Sequence, residues 1–338
     1  MSNKVQAILL FIVVAISSAG RCDDAVLLID DASRDGLVTA RVDLTAAVRR
    51  CKISSVNPCS IRALAADGRD VPFLFVPDAD FDAATRIAGT VVLRLPKPEP
   101  ARLRLQFGPQ IENLGVWNGV VITPAYTVTH DPKRMGGLPW KITFPGSGKA
   151  FQTPRWNNRL HHKEVGSFCV CDDPKASVEL IAKGPLCSVV RVRGHYVHGD
   201  KRPKSEPSAV YDWYYFRDQP LVFVTATIQQ KQSFPWNEVH FLEMDYPRGD
   251  FPRWAGGEPL QQGEFKDTKK THSCPQWGVV HDGKAGIGMF RCGQVLFYDA
   301  GPGTYIQAHG DAAWSPWSDT RREFSAWLWL GTADDPAR

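Results

Sequence analysis

Almost no stretch of this sequence carries a long helical period, and no low-complexity tract or internal repeat interrupts it. Helical bundles and solenoids are therefore excluded. An excess of one charge is missing too: 40 Lys and Arg stand against 36 Asp and Glu, interspersed along the chain. That balance removes the electrostatic reason to expect nucleic acid as a partner. No G-x-S-x-G, phosphate-binding loop or H-E-x-x-H occurs, so none of the short motifs that identify a reaction is available. Asp78, Asp80 and Asp82 imitate the start of a calcium loop, but Gly89 stands where the closing acid is needed. Beyond residue 19 no apolar run approaches the ~20 residues that a membrane-spanning helix requires.

What is present begins with a leader. Lys4 precedes an apolar run from Val5 to Ile16, and the small residues Ser17, Ser18 and Ala19 follow. This is the layout of a cleavable secretory signal over residues 1–19. The expectation is a secreted or periplasmic protein with no membrane attachment after cleavage. Arg21 before Cys22 argues against a lipid-anchored cysteine, because a small residue belongs there.

Eight cysteines in an exported chain read first as disulfides. Cys51 and Cys59 flank a short turn, Cys274 and Cys292 bracket a hairpin pattern, Cys187 is left for Cys169 or Cys171, and Cys22 for the remaining thiol. A metal site built from Cys169, Cys171 and His161 or His162 is the rival reading, but C-x-C is not the spacing of the common zinc sites. The expectation is no metal and no cofactor.

Short runs rich in Val, Ile, Phe, Tyr and Trp recur between Gly, Pro, Asn and Asp clusters, which is an all-β signature. Arg102-Leu103-Arg104-Leu105-Gln106-Phe107 alternates as one half-buried strand. Helices are expected only at Thr45 to Arg50 and Asp82 to Ile87. The 25 prolines hold strands to modest lengths. Residues 25–110 read as a small β-barrel or sandwich, and residues 115–332, with longer and more aromatic strands, as a second domain.

Tyr211-Asp212-Trp213-Tyr214-Tyr215-Phe216 turns through Arg217-Asp218-Gln219-Pro220 into Leu221 to Ile228, and the chain closes on Phe324-Ser325-Ala326-Trp327-Leu328-Trp329-Leu330-Gly331. This order resembles the antiparallel β-supersandwich of galactose-mutarotase-like carbohydrate proteins. With a smaller β domain in front, it is similar to the exo-rhamnogalacturonan lyase-like proteins. The resemblance implies a sugar groove on large curved sheets. Many such relatives also carry a helical domain, and this sequence has none.

Three constellations suit carbohydrate chemistry. Arg155 to Lys163 reads as a polar loop, in which Asn157 or Asn158 and Arg159 bind the substrate carboxylate and His161 or His162 acts as base. In a strand running through Glu238 and His240, alternate residues share a face, so these two point together and Glu243 and Asp245 point to the opposite side. Tyr211, Trp213 and Tyr215 share a face that lines the groove, with Tyr215 as proton donor. The catalytic candidates are thus His162, Tyr215 and His240. Asn157, Asn158, Arg159, Tyr211, Trp213 and Glu238 are the substrate-binding candidates. The function expected is a secreted carbohydrate-active protein working on a poly- or oligosaccharide by lyase-type elimination or glycoside cleavage. The alternative is a noncatalytic carbohydrate-binding protein or a fragment of a larger enzyme.

Overall fold

The alternation of Arg102 to Phe107 is realised as a strand, Ala101–Phe107, with Leu103 and Leu105 buried and Arg102 and Arg104 turned to solvent. Its period of two is what a sheet with one wet face demands. The computed structural model describes residues 12–15, 24–29, 36–97, 99–107, 114, 116–299, 304–309 and 316–332. Cys22 and most of the expected leader lie outside them. Over this range the chain is almost entirely β and antiparallel. No helix among the described residues is long and apolar enough to cross a membrane.

Two compact units result, residues 1–116 with 181–188, and residues 117–180 with 189–338. In the first, a five-stranded sheet runs in the order Ile12–Ala15, Asp24–Ile29, Ala101–Phe107, Ile61–Leu64, Asp70–Val71. A three-stranded sheet joins Leu37–Asp43, Ala88–Arg94 and Phe73–Pro77. Leu27, Val38, Phe75, Val91, Leu93 and Leu105 form part of the shared core. The helix Thr45–Arg50 forms as expected and buries Ala47 and Val48.

Asp82 to Ile87 is not a helix. Asp82 and Arg86 exchange both backbone hydrogen bonds, each at 3.0 Å. The Asp82 carboxylate accepts from the amides of Ala84 and Thr85 and from the Thr85 hydroxyl. An aspartate that bonds the backbone two and three residues ahead stabilises a turn in competition with a helix.

In the second unit the main path of the largest sheet runs Arg155–Trp156, Leu242–Tyr246, Thr304–His309, Ala285–Asp299, Arg321–Thr332, Leu221–Gln229 and Ser208–Phe216. Its core gathers Trp156, Tyr211, Trp213, Tyr215, Met244 and Ile287 with many aliphatic side chains. In Leu221–Gln229, Val222, Val224, Ala226 and Ile228 face this core and their neighbours face away.

Two expectations near residues 155 and 240 change here. The polar stretch from Arg155 is no loop but two short strands, Arg155–Trp156 and Arg159–His162, because Trp156 and Leu160 are both fully buried and pin it to the core. The strand expected to run through Val239 is broken into Glu238–Val239 and Leu242–Tyr246. His240 and Phe241 lie between the two pieces.

Candidate functional site: a histidine between two glutamates

The break at His240 decides what surrounds it. The His240 amide donates to the Arg159 carbonyl at 2.8 Å, which turns the ring inward between the two strand pieces. His240 Nε2 then lies 3.0 Å from Glu238 Oε2, and Nδ1 lies 2.6 Å from Glu243 Oε2. Continuous alternation would have sent Glu243 to the opposite side, and the irregular link reverses that. Gln307 is the register partner of Glu243 on the neighbouring strand, and its amide packs against His240 Nδ1.

Arg159 spans the same two acids, with Nη1 3.3 Å from Glu243 Oε1 and Nη2 3.5 Å from Glu238 Oε2. Asn157 Nδ2 donates to Glu243 Oε1. Asn158 is buried and its Oδ1 accepts from the Glu243 amide at 3.0 Å. His240 and Glu243 are sealed from solvent, whereas the side chains of Arg159 and Glu238 keep 21% and 26% of their exposure. The cluster is therefore closed behind and open at Glu238 and Arg159. A buried carboxylate needs such partners, since losing one would leave an uncompensated charge.

Two positions beyond Glu243, on the same strand face, stands Asp245. Burial and then the neighbouring Glu243 charge push its carboxyl up to about 7, against the pull of Arg155 and Arg159. It is a carboxylic acid that holds its proton close to neutrality, the property a general acid needs. Asp245 is named from the sequence only with Glu243, as the acid pair on the face opposite His240, and Gln307 is not named at all. Asp245 had the signal of its acidic neighbour, and Gln307 had none, since only sheet register brings it there.

The remaining candidates lie elsewhere. His162 sits on Arg159–His162 with its ring 5.1 Å from Phe234, and its Nδ1 accepts from the Glu164 amide. Alternation puts it on the face opposite Arg159, and His161, in register with Glu238, is on the cluster side. Tyr211, Trp213 and Tyr215 do share a face, but that face is the core: all three are at most 2% exposed, so they are packing residues and do not line an open groove. Tyr211 donates to the Phe241 carbonyl at 2.9 Å, which helps hold the break beside His240. The Tyr215 hydroxyl is 2.7 Å from His130 Nε2, and His130 Nδ1 is 2.8 Å from the Gly137 carbonyl. A carbonyl only accepts, so Nδ1 carries the proton and Tyr215 donates to Nε2. Burial depresses His130 to about 4 and raises Tyr215, which makes this pair a structural brace. Trp213 and Tyr215 line a small apolar void with Trp156 and Met244, so Met244 faces the core while Glu243 and Asp245 face away from it.

A second polar group adjoins the first. The turn Val170–Asp172 follows the strand Gly166–Cys169 and brings Cys169, Cys171 and Asp172 together. Arg155 Nη2 is 2.8 Å from Asp172 Oδ2, and Cys169 Sγ donates to Asn157 Oδ1 at 3.5 Å. The hydrogen bond from Cys171 and the nearby Arg155 hold the Cys169 thiol below its usual range.

No family model and no curated protein matches this sequence. Solved structures do. A protein of glycosyl hydrolase family 38 from Enterococcus faecalis superposes on 94% of this chain with a TM-score of 0.55 at 11% identity. An alpha-mannosidase from Enterococcus faecalis V583 superposes on 93%, with a TM-score of 0.52 and 11% identity. A galactose mutarotase related enzyme from Lactobacillus acidophilus covers 64% of the chain with a TM-score of 0.42 and 7% identity. The chain spans 45% and 43% of the length of the first two. At this level of identity the first two matches establish a shared β-sandwich fold.

Proposed function

We propose that this chain acts on a neutral carbohydrate by acid–base chemistry at the open edge of the His240 cluster. The observation that carries the reading is Asp245, a carboxyl that keeps its proton near neutrality two residues along the strand from Glu243, whose partner His240 also holds the partly exposed carboxylate of Glu238. An acid and a base from two carboxyls in different environments is the arrangement that glycoside cleavage requires. Asp245 would protonate the leaving oxygen and Glu238 would take a proton from water or from a sugar hydroxyl. Arg159 and His240 orient Glu238, and buried Glu243 anchors both.

The charge balance turns the reading away from elimination on a uronic acid. That reaction needs cations to neutralise the substrate carboxylate. Here Arg159 already spans two glutamates and Arg155 is tied to Asp172, so neither is available. The fold shared with the mannosidase structures supports a carbohydrate role by analogy.

The test sets neutral aryl glycosides and oligosaccharides against uronic-acid polysaccharides. Asp245→Asn is expected to lower turnover by ~10²–10⁴ where the leaving group needs a proton, and far less where the leaving group is activated. Release of unsaturated product from a uronate polymer would restore elimination. Saturable sugar binding without any turnover would establish a noncatalytic binding protein.

A further inference from the structure

We infer that Cys169, Cys171 and Asp172 form a binding site for one divalent metal ion of the zinc class. Their ligand atoms all lie within 4.8 Å of one another. Two sulfurs bound to one tetrahedral ion, each at ~2.3 Å, stand about 3.8 Å apart, so only a small contraction is needed. Both cysteines are under 9% exposed, which keeps competing water away.

The surroundings are arranged as a metal's second layer would be. Arg155 occupies Asp172 Oδ2 and leaves Oδ1 on the thiol side, 3.6 Å from Cys171 Sγ. Asn157 Oδ1, 3.5 Å from Cys169 Sγ, supplies a neutral oxygen at the same place. Polar groups that fix the orientation of a ligand in this way characterise metal sites. Charge decides the matter. Two thiolates and one carboxylate carry three negative charges, Arg155 returns one positive, and a divalent ion supplies the other two. The group is then neutral around its two buried thiolates, the part for which burial makes an unbalanced charge costly. As the two metal–sulfur bonds form, each thiol gives its proton to the buffer. Thiolates select zinc-like ions over calcium or magnesium. The backbone beneath is rigid: Gly136, at φ +58°, lies so close that a Cβ there would fall 2.1 Å from the Val170 carbonyl oxygen.

This site is separate from the acid–base reading and stands or falls without it. Reduced, chelator-treated full-length protein would be titrated with Co²⁺. The expected result is sulfur-to-cobalt charge-transfer and tetrahedral ligand-field bands that saturate at one equivalent and bleach when Zn²⁺ is added. Asp172→Asn keeps both thiols and is expected to weaken Co²⁺ at least tenfold while the charge-transfer bands persist. Cys169→Ser with Cys171→Ser is expected to abolish them. Wild-type protein without such bands, bands that survive in the double variant, or an Asp172→Asn affinity equal to wild type would each overturn the site. So would a Cys169–Cys171 disulfide mapped in protein that takes up no Co²⁺ once reduced.

Discussion

Asp245 departs far from its solution behaviour while remaining within reach of solvent. Its folded pKa, raised to about 7 by burial and then by Glu243, lies above the unfolded value of 3.8. Between those limits the folded state holds a proton that the unfolded chain has lost. The stability it contributes is therefore fully present below about pH 4 and is lost as pH rises to about 7. Asp245→Asn is expected to flatten that part of the profile, with a gain of roughly 1–4 kcal/mol at pH 8. Urea midpoints of both proteins from pH 4 to 8 would show it, and parallel profiles would refute the assignment. His162 offers the opposite case. With its ring on Phe234 and away from Arg159, His162→Ala is expected to leave turnover within about twofold and stability within ~0.5 kcal/mol. A collapse of turnover in that variant would move the site off the His240 cluster.

At the scale of elements, the sequence was most legible where a period repeats. Leu221–Gln229 follows its alternation residue by residue, and Ala101–Phe107 follows it from Arg102 to Leu105. It was least legible where backbone polar groups compete with the period, as at Asp82, or where a period breaks, as at His240. Glu238 and His240 do meet as alternation expects, but His240 lies beyond the strand, in the two-residue link that also brings in Glu243. The aromatic face of Tyr211, Trp213 and Tyr215 was assigned correctly as one face, and burial was the part that alternation could not decide. Cys169 and Cys171, taken with His161 or His162, are set aside by their C-x-C spacing, whereas the third donor we propose is the next residue, Asp172.

Another carboxylate organises a loop in the same manner as Asp82. Asp299 ends its strand and accepts from the amides of Lys266, Asp267 and Thr268, at 2.9, 2.8 and 3.0 Å, and from the Thr268 hydroxyl at 2.7 Å. Burial raises its pKa, but these donors prevail and lower it to about 2. Its stabilisation is complete above the unfolded value and is lost as pH falls from about 4 to about 2. Asp299→Asn is expected to cost ~2 kcal/mol at neutral pH and to flatten the acid limb of unfolding. An unchanged acid limb would count against the loop clamp.

At the scale of the whole molecule, export is our proposal on the strength of Lys4, the apolar run and Ala19. Mass spectrometry of the mature protein is expected to find a new terminus at Gly20, a cut that would take the edge strand Ile12–Ala15 off the first sheet, and an intact Met1 on secreted material would refute it. On that proposal disulfides are expected, and Cys274 and Cys292 stand on the two arms of one hairpin. With Cys169 and Cys171 held as metal ligands, thiol counting on unfolded, metal-stripped, non-reduced protein is expected to find two reactive groups. Six or more would mean that the chain matures in a reducing compartment.

The strand Leu242–Tyr246 has Met244 on its core side, against Trp156, Trp213 and Tyr215, and Glu243 and Asp245 on the other. It is a partition one backbone thick. Stiff rings on its inner side leave the acids on its outer side little freedom to recoil, so the precision of the outer face is set by packing that no substrate touches. A hole opened among those rings would slacken the acids without removing any of them, and the loss would fall on kcat before KM.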